Sequence, residues 1–466
     1  MLEEVDAIHI RGGNALFGET TIQGSKNAVL PVMAAALLIN DVCTIENCPR
    51  IQDVEHMKNL LQSLGCKVKR SNRAITVDDS CLTDLALQEE GIRNENVTCM
   101  RSSIMLLGAM LGRIGEVSLA YPGGCVIGER PIDLHIRSLK KMGVEFYEEE
   151  GYFRAYTRGL KGAVIRLPVA SVGATENIVL AAVKARGVTV LQNAAKEPEI
   201  ISLCEFLTKA GAIIEGTGTD TLLIKGLEEL HGITYRIPSD RIVAGTYLFS
   251  VLGTGGHIFL RDAPVQHMYA VLKKAVEMGA RLAVSKDGIS VMAEPVQNAV
   301  PYTKTEIYPG FPTDMQSPLM AVLTKASGLS LIEETIFENR FQIVPSLRSM
   351  GADIELLSEH KALIHGVPKL YGREVNAMEL RGGAALIIAG CMADGETVIY
   401  NKHFIERGYE DICRDYRNLG VNIYIGKDTD GKEKETQIRL YGGANYDDCP
   451  TFVRIGIYHL YAYIRF

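Results

Sequence analysis

The sequence has no apolar segment long enough to cross a membrane. Its longest purely apolar run covers residues 29–39 and contains Pro31, whereas a spanning helix needs about 20 apolar residues. The first residues, Met-Leu-Glu-Glu-Val-Asp, are acidic and lack the basic and apolar regions of a signal peptide. We therefore expect a cytoplasmic protein with no membrane partner.

Paired cysteines and an excess of positive charge are also missing. The ten cysteines form no CxxC motif, which disfavours a disulfide framework or a structural zinc site and favours reduced thiols. The formal net charge is −7, so a nucleic-acid-binding surface is not indicated, and an anionic substrate would need a local cluster of Lys and Arg. We expect no metal ion, no cofactor and no nucleic-acid partner.

Hydrophobic residues, by contrast, are abundant. They make up 47% of the 466 residues, and 23% are charged, which is typical of a packed globular protein. A chain of this length is too long for one ordinary core. The composition therefore predicts two or more domains, or one repeated architecture.

A short phrase centred on a glycine recurs six times, at a spacing of about 70 residues that is typical of repeat architectures. In each copy the glycine suits the left-handed position after a helix C-terminus, and the alternating residues beyond it suit a strand. The pattern predicts a helix, a glycine stop and a strand in every copy. The glycines are Gly65, Gly143, Gly211, Gly279, Gly351 and Gly420.

A second set of six segments lies earlier in the copies. Each is rich in Ala, Leu, Ile and Met on nearly every face, which predicts a buried helix. Their starts are polar, and helix N-termini present free N–H groups, so helices that share one orientation would offer anion-binding ends. The segments are residues 24–38, 100–112, 171–186, 240–252, 313–327 and 380–392.

The N-terminal strands are predicted to complete the last copy. Residues 8–22 resemble the segments that bridge the other copies, and the sixth copy lacks such a segment of its own. If three copies form each lobe, the first lobe is 23–237 and the second is 1–22 together with 238–425. Two chain crossings would then form a hinge beside a cleft, a preferred place for ligands. Residues 426–466 match no repeat phrase and form a separate tail in this division.

One thiol stands in an unusual setting. Cys125 lies in the segment Tyr121–Arg130, between glycines that free the backbone and an arginine that keeps its charge. A nearby cation favours the reactive thiolate. We interpret this segment as an active-site loop.

Six motifs in order carry a resemblance to a known family. With them the chain resembles the UDP-N-acetylglucosamine 1-carboxyvinyltransferases (enolpyruvyl-UDP-GlcNAc synthases), which are EPSP synthase-like enolpyruvyl transferases, over residues 6–425. The resemblance implies an inside-out α/β barrel of two lobes, each with three βαβαββ units whose buried helices are surrounded by sheets. The motifs are Gly24-Ser25-Lys26-Asn27, Pro122-Gly123-Gly124-Cys125 continuing to His135, Ser171-Val172-Gly173-Ala174-Thr175, Pro309 to Gln316, Phe337-Glu338-Asn339-Arg340-Phe341 and Arg407-Gly408-Tyr409-Glu410.

The resemblance also implies a reaction. In the family, the enolpyruvyl group of phosphoenolpyruvate (PEP) moves to the 3-hydroxyl of UDP-GlcNAc and phosphate is released, by addition through a tetrahedral ketal followed by elimination. This is the first committed step of peptidoglycan synthesis, which links the chain to cell wall biogenesis, cell shape and cell division. The implied partners are these two small molecules, and the oligomeric state is left open.

Four residues match the family's catalytic positions. Cys125 would donate a proton to the PEP methylene carbon and form a covalent adduct with PEP, and the match implies that the epoxide fosfomycin alkylates it. Asp314 would accept the proton of the sugar hydroxyl, and it could also cap a helix, because Thr313-Asp314 begins an apolar helix; both roles can hold together. Lys26 and Arg407 would bind PEP and stabilise developing charge.

Further residues match substrate-binding positions. Arg130 matches another PEP-binding cation, and Arg101 and Arg381 match arginines near the ligand phosphates and carboxylate. Glu379 stands where the family often has Asp, Val169 where some members have a lysine, and Gly382-Gly383 would loosen a helix start. His135 is expected to be structural. The remaining matches are Asn27 for the sugar, Arg130, Pro131, Ile132, Asp133 and Leu134 for the uracil, Ser171, Val172 and Gly173 near the diphosphate, and Ile336 for the nucleotide sugar.

Two other functions stay open at this point. The sister transferase that acts on shikimate 3-phosphate shares the fold and PEP, but the Pro-Gly-Gly-Cys loop and the uracil segment argue against it. A catalytically silent paralogue that binds a UDP-sugar is disfavoured because the expected charges are present, apart from the change of Asp to Glu at position 379.

Overall fold

The repeat glycines have the conformation predicted for residues that end helices. Their φ angles lie between 87° and 109°, a left-handed region that side chains other than glycine rarely adopt. Each is preceded by a helix and followed by a strand. The computed structural model describes residues 6–79, 95–123, 127–128, 131–149, 151–296 and 298–427.

The first half of the described chain holds seven α-helices and thirteen strands. They are β1 (Asp6–Arg11), β2 (Leu16–Thr21), α1 (Lys26–Ala35), β3 (Val42–Glu46), α2 (Gln52–Ser63), β4 (Lys67–Ser71), β5 (Ala74–Asp78), α3 (Glu95–Cys99), α4 (Met105–Arg113), β6 (Glu116–Ala120), α5 (Asp133–Lys141), β7 (Glu145–Glu149), β8 (Tyr152–Tyr156), β9 (Val164–Arg166), α6 (Val172–Ala182), β10 (Val188–Gln192), α7 (Pro198–Lys209), β11 (Ile213–Glu215), β12 (Thr221–Lys225) and β13 (Thr234–Arg236).

The second half repeats the same alternation. Its elements are α8 (Arg241–Thr254), β14 (Gly256–Arg261), α9 (Tyr269–Glu277), β15 (Arg281–Ser285), β16 (Gly288–Ala293), β17 (Tyr302–Lys304), α10 (Gln316–Leu323), β18 (Leu329–Glu333), α11 (Val344–Ser349), β19 (Asp353–Ser358), β20 (Lys361–His365), β21 (Glu374–Asn376), α12 (Leu380–Met392), β22 (Glu396–Tyr400), α13 (His403–Glu406), α14 (Ile412–Asn418) and β23 (Asn422–Lys427). Short 3-10 helices precede α4 at Arg101–Ile104 and α10 at Thr313–Met315.

The strands form six sheets, one for each repeat. The sheet of the third repeat has the order β11-β12-β10-β9, in which β9 is parallel to β10 and a hairpin of β11 and β12 completes the other side. The fifth repeat has the same arrangement, with β17 parallel to β18 beside β20 and β19. Each complete unit therefore reads βαβαββ, which confirms the predicted repeat.

Strands β1 and β2 both pair with strands of the second half of the chain, but in two different sheets, so only β1 joins the last repeat. Strand β1 lies between β22 and β23 and is antiparallel to both, with Ile8 opposite Ile399 and Ile425. Strand β2 instead pairs in parallel with β14, in the sheet of the fourth repeat. The first lobe is closed in a similar way, because β13 pairs in parallel with β3.

The buried helices form two separate cores. One hydrophobic cluster runs from Ala28 to Ile237, and the other combines Ile8–Ile22 with Ile242–Ile423. Helices α1, α4 and α6 are buried in the first core, and α8, α10 and α12 in the second. Helices thus fill both lobes and sheets cover them, which is the inside-out α/β barrel that the resemblance implied. We call the layers around the first core the first lobe, and those around the second core the second lobe.

In the described part of the chain, no helix is both long and apolar enough to span a lipid bilayer.

Candidate active site

Lys26 begins the buried helix α1 on the first lobe. The hydroxyl of Ser25 caps this helix by accepting from the N–H of Ala28 at 3.3 Å. The backbone N–H of Lys26 donates to Asp240, which lies at the start of α8 on the second lobe. The Lys26 side chain points to Asp53, with 2.7 Å between Nζ and Oδ2. Lys26 therefore lies where the two lobes meet.

Arg407 reaches the same aspartate from the second lobe. Its Nε and Nη2 lie 2.8 Å and 3.1 Å from Oδ1 and Oδ2 of Asp53, a two-point pairing that suits the planar guanidinium. Asp53 is on α2 and its side chain is only 2% exposed. We call these three residues the Asp53 cluster.

Burial and charge shift the pKa values of this cluster. Burial lowers the pKa of Lys26, and Asp53 opposes that effect. For Asp53, burial alone would raise the pKa, but Lys26 and Arg407 outweigh it and the pKa is lowered. Asp53 is therefore an anion at neutral pH. It balances the charges of two cations that the family resemblance implies would bind PEP.

A second carboxylate holds two more arginines. Asp314 lies in the 3-10 helix before α10, and its Oδ2 accepts from Nε and Nη2 of Arg381 at 3.2 Å and 3.1 Å. Its Oδ1 pairs with Nη2 of Arg340. Asp314 does not cap a helix in this structure, because its carboxylate meets these guanidinium groups. The N-cap positions of the 3-10 helix and of α10 are held by Pro312 and Met315, without side-chain hydrogen bonds.

The arginines hold the pKa of Asp314 well below its usual range. Burial alone would raise this pKa, but the charges of Arg381 and Arg340 overcome that effect. Asp314 in turn raises the pKa of Arg381 against the opposing effect of burial. Asp314 is thus ionised, the form that a base requires.

Glu379 connects this pairing to helix α12. Its Oε2 accepts from the N–H of Arg381 at 2.7 Å and its Oε1 from the N–H of Gly382, so Glu379 caps the helix. Its Oε2 also lies 3.4 Å from Nη1 of Arg340. We call Asp314, Arg340, Arg381 and Glu379 the Asp314 cluster.

These caps correct the prediction of free anion-binding helix ends. The carboxylates of Asp240 and Glu379 accept from the first N–H groups of α8 and α12. Protein carboxylates therefore already occupy these two helix starts.

The two clusters are neighbours. The guanidinium of Arg381 lies 5.9 Å from the centre of the Tyr409 ring, and its charge contributes to the lowered pKa of Lys26. Tyr409 follows Arg407 by two residues, is buried in the second core, and its hydroxyl lies 2.8 Å from Oγ1 of Thr246. Four cations, two aspartates and Glu379, contributed by both lobes, thus form one polar centre.

Among the described residues, those predicted to bind the nucleotide lie on the first lobe, with one exception. Ser171 caps α6 through the N–H of Ala174 at 3.4 Å, and a side chain at Gly173 would meet the ring of His135. His135 is buried, and its Nδ1 lies 2.9 Å from the amide of Asn177, as expected for a structural histidine. Ile336 is the exception, because it lies on the second lobe, where its N–H donates to Glu334 at 2.8 Å.

The other predicted residues have varied exposure. Val169 is exposed, and its apolar side chain supplies no charge at this position. Pro131 is exposed and Ile132 is buried. The others are partly exposed: Asn27, Arg101, Asp133, Leu134 and Val172.

Cys125 and Arg130 lie outside the described residues. Their described neighbours contact the second lobe, because the carbonyl of Ile127 accepts from the N–H of Asn339 at 2.9 Å. A Cβ at Gly128 would collide with the carboxylate of Glu338, and one at Gly123 with the carbonyl of Thr98. At these two glycines a close approach excludes a side chain, a requirement in addition to the backbone freedom that the sequence indicates.

Sequence reasoning missed Asp53, Arg340 and Asp240. Arg340 belongs to the Phe337–Phe341 motif, but the resemblance implies no role for it. Asp53 resembles an ordinary acidic residue in the first turn of a helix. For Asp53, the signal that could have revealed it is its position on the apolar side of an amphipathic helix.

Known proteins resemble the chain in sequence and in fold. The family model described as EPSP synthase (3-phosphoshikimate 1-carboxyvinyltransferase) matches residues 10–415. The chain belongs to the EPSP synthase family. Solved structures of enolpyruvyl transferases share the fold: NikO from Streptomyces tendae has a TM-score of 0.81 at 23% identity, covering 91% of this chain and 100% of NikO. EPSP synthase from Acinetobacter baumannii has a TM-score of 0.67 at 17% identity, with the same coverage.

Curated relatives are more similar in sequence. UDP-N-acetylglucosamine 1-carboxyvinyltransferase 2 from Caldanaerobacter subterraneus subsp. tengcongensis is 44% identical, over 89% of this chain and 98% of that protein. UDP-N-acetylglucosamine 1-carboxyvinyltransferase 1 from Carboxydothermus hydrogenoformans is 42% identical, over 92% of this chain and 100% of that protein. The enzyme of the same name from Staphylococcus aureus strain N315 is 43% identical, over 90% and 99%.

In this member of the EPSP synthase family, the polar centre suits a small ligand with two anionic groups. Guanidinium forks bind phosphate and carboxylate at two points, and an ammonium acts as a point charge. Because both lobes contribute cations, a ligand bound there would touch both lobes.

Proposed function

We propose that the protein transfers the enolpyruvyl group of PEP to the 3-hydroxyl of UDP-GlcNAc and releases phosphate. Relatives named for this activity are 42–44% identical over about 90% of the chain. The observation that carries the proposal at the site is the convergence of Lys26, Arg407, Arg340 and Arg381 on two aspartates. PEP carries a phosphate and a carboxylate, and these cations match both groups.

In the addition step, the sugar oxygen bonds to C2 of PEP and a proton is added to C3. The methylene becomes a methyl group, and a tetrahedral ketal forms. We assign the proton donor to Cys125 and the acceptor of the hydroxyl proton to Asp314. Cys125 also forms the covalent PEP adduct through an S–C2 bond, and that bond must break before the sugar oxygen bonds to C2. Because its arginines make Asp314 a weak base, the proton transfer fits a stage at which the new C–O bond has already acidified the hydroxyl.

In the elimination step, the Cys125 thiolate left by the addition takes a proton back from the methyl group, the C2=C3 double bond forms and the C2–O bond to phosphate breaks. Charge grows on the leaving phosphate, so cations fixed around it stabilise this step. We assign this role to Lys26, Arg407 and Arg130, with Arg381 and Arg101 near the ligand carboxylate and phosphates.

The nucleotide is proposed to bind mainly to the first lobe, with one contact from the second. Pro131, Ile132, Asp133 and Leu134 would hold the uracil with Arg130, and Ser171, Val172 and Gly173 would face the diphosphate. Ile336 would contact the nucleotide sugar, and Asn27 would contact the acetylated sugar. Glu379 would bind substrate from the helix start that it caps.

The biological setting follows from the same proposal. The reaction is the first committed step of peptidoglycan synthesis, which links the protein to cell wall biogenesis, cell shape and cell division in the cytoplasm. We also propose that the lobes are 23–237 and 1–22 with 238–425, supported by the two cores. The predicted tail, 426–466, lies almost wholly outside the described residues.

Intact-mass analysis with fosfomycin tests the proposal and its reactive residue together. Opening the epoxide forms one S–C bond, so the wild-type protein should gain the mass of one fosfomycin molecule, and Cys125→Ser should gain none. Cys99→Ser is the matched control, because Cys99 is an exposed thiol, and this variant should still be labelled. Equal labelling of Cys125→Ser and the wild type would overturn the assignment.

A further inference from the structure

The Arg407-Gly408-Tyr409-Glu410 motif contains a carboxylate to which the proposed function gives no role. Glu410 belongs to the second lobe, yet both of its oxygens accept from the first. Its Oε1 accepts from the N–H of Arg50 at 2.9 Å, and its Oε2 from Nη2 of Arg73 at 2.8 Å. The Glu410 side chain is 6% exposed, whereas that of Arg73 is 38% exposed. The buried carboxylate of Glu410, on the second lobe, is therefore paired with donors of the first lobe.

The backbone next to Glu410 is held to the first lobe as well. Gln23, a buried residue, donates from Nε2 to the carbonyl of Gly408 at 3.0 Å and accepts at Oε1 from the N–H of Glu410 at 2.8 Å. Gln52 donates to Oε2 of Glu406 at 2.9 Å. These contacts surround Arg407 on both sides along the chain.

Arg407 is thus part of a short segment with two attachments. Tyr409 anchors the segment in the second core through Thr246, whereas Glu406, Gly408 and Glu410 fasten it to the first lobe. Lys26, the other cation of the Asp53 cluster, belongs to the first lobe. The fastening therefore fixes the distance between Arg407 and Lys26.

We propose that Glu410 is a positioning residue that holds Arg407 in place to bind the phosphate of the substrate. This inference rests on the proposed function, in which Arg407 binds PEP. Glu410 acts through Arg407, and its effect should be confined to PEP, because the residues proposed to bind the nucleotide lie outside residues 406–410.

Steady-state kinetics of Glu410→Gln and Arg73→Gln test the proposal. Both variants remove the same charged contact, one from each lobe. Each should raise the KM for PEP about tenfold, equivalent to about 1.4 kcal/mol, and leave the KM for UDP-GlcNAc within about twofold. The double variant should be no worse than the worse single one, since the two residues act as a pair. Arg73 lies in an exposed turn, so the test stands even if Glu410→Gln folds poorly.

Glu19→Gln is the matched control. Glu19 forms an exposed pair with Arg261 at 2.9 Å on the second lobe, and its loss should leave both KM values unchanged. A KM for PEP within about twofold of wild type in both test variants would overturn the proposal. An equal rise in both KM values would also overturn it, since that indicates general damage.

Hydrogen–deuterium exchange gives a readout that does not depend on activity. Peptides covering residues 403–411 should exchange faster in Glu410→Gln and in Arg73→Gln than in the wild type or in Glu19→Gln. Unchanged exchange would contradict the positioning role even if the wild type is active. A wild type without turnover would overturn the proposed function, and the exchange experiment would still decide whether Glu410 fastens the segment.

Discussion

Asp53 and Arg407 form a two-point ion pair between the lobes, although 354 residues separate them in the sequence. Nε and Nη2 of Arg407 lie 2.8 Å and 3.1 Å from the two carboxylate oxygens, and Lys26 lies 2.7 Å from one of them. A protein carboxylate thus takes the place that the proposed function gives to a substrate anion.

Replacing Asp53 by Asn should make the thermal stability of the protein depend on an added anion. Breaking a buried ion pair typically costs about 3–5 kcal/mol, and we expect the lower end because Lys26 and Arg407 are partly exposed. The melting temperature of Asp53→Asn should fall, and inorganic phosphate should restore more of it than it adds to the wild type. Thermal melts with and without phosphate measure this.

The control for this experiment is Asp394→Asn, which removes an exposed partner of Lys369. It should melt close to the wild type and respond to phosphate in the same way. An equal response of Asp53→Asn and wild type to phosphate would contradict the anion-substitute account.

Replacing Asp314 by Asn should remove most turnover. General base catalysis typically contributes about 10²–10⁴-fold, so phosphate release from PEP in the presence of UDP-GlcNAc should fall by about 100-fold or more. Asp314→Glu keeps the charge for Arg340 and Arg381 but shifts the carboxylate, so we expect intermediate activity. Activity of Asp314→Asn within a few-fold of wild type would rule out the proposed base.

Asp79 should make stability depend on pH. It is buried near Arg113, with 3.4 Å between Oδ2 and Nε, and burial raises its pKa from 3.8 to about 7. Between these values the unfolded chain releases the proton while the folded protein keeps it, so stability falls as pH rises and the loss is complete above about pH 7. Asp79→Asn should remove this loss.

Urea unfolding at pH 5 and pH 8 measures the effect of Asp79. One pKa unit corresponds to about 1.4 kcal/mol, and we expect Asp79→Asn to gain about 1–3 kcal/mol relative to wild type between the two pH values. Asp287→Asn, in an exposed turn, should leave the pH dependence as it is. A parallel response of the wild type and Asp79→Asn would refute the prediction.

Glu379 should stabilise helix α12 as its cap. Loss of a capping side chain typically costs about 0.5–2 kcal/mol, so Glu379→Ala should lower the free energy of unfolding by about that amount. Asp is itself a favoured cap, and Glu379→Asp should stay near the wild type. Denaturant titration compares the three proteins, and an Ala variant as stable as the wild type would show that the cap contributes nothing.

Local patterns were enough to predict the repeat of helix, glycine and strand, whereas the inside-out barrel was implied by the resemblance. The glycine that ends a helix can be recognised from a few neighbouring residues, and so can the apolar composition of helices such as α8 and α12. The division of residues 8–22 between two sheets could not be predicted, because β1 and β2 pair with β22, β23 and β14, far away in the chain. Strand pairing over such distances leaves no local signal.

The candidate site was predicted less completely than the fold. Lys26, Asp314, Arg381 and Arg407 were assigned through motifs, and the structure brings them together. Asp53 was missed because its partners come from another helix start and from the opposite lobe. A sequence shows which groups are charged, but the carboxylate that balances a cation is set by the packing of the lobes.

Phosphate release from PEP, measured with each of two acceptors, tests the central claim most directly. The wild-type protein should release phosphate in the presence of UDP-GlcNAc and none with shikimate 3-phosphate, and Cys125→Ser should nearly lose the activity while it still binds UDP-GlcNAc. Release that is independent of UDP-GlcNAc, or that requires shikimate 3-phosphate instead, would contradict the account.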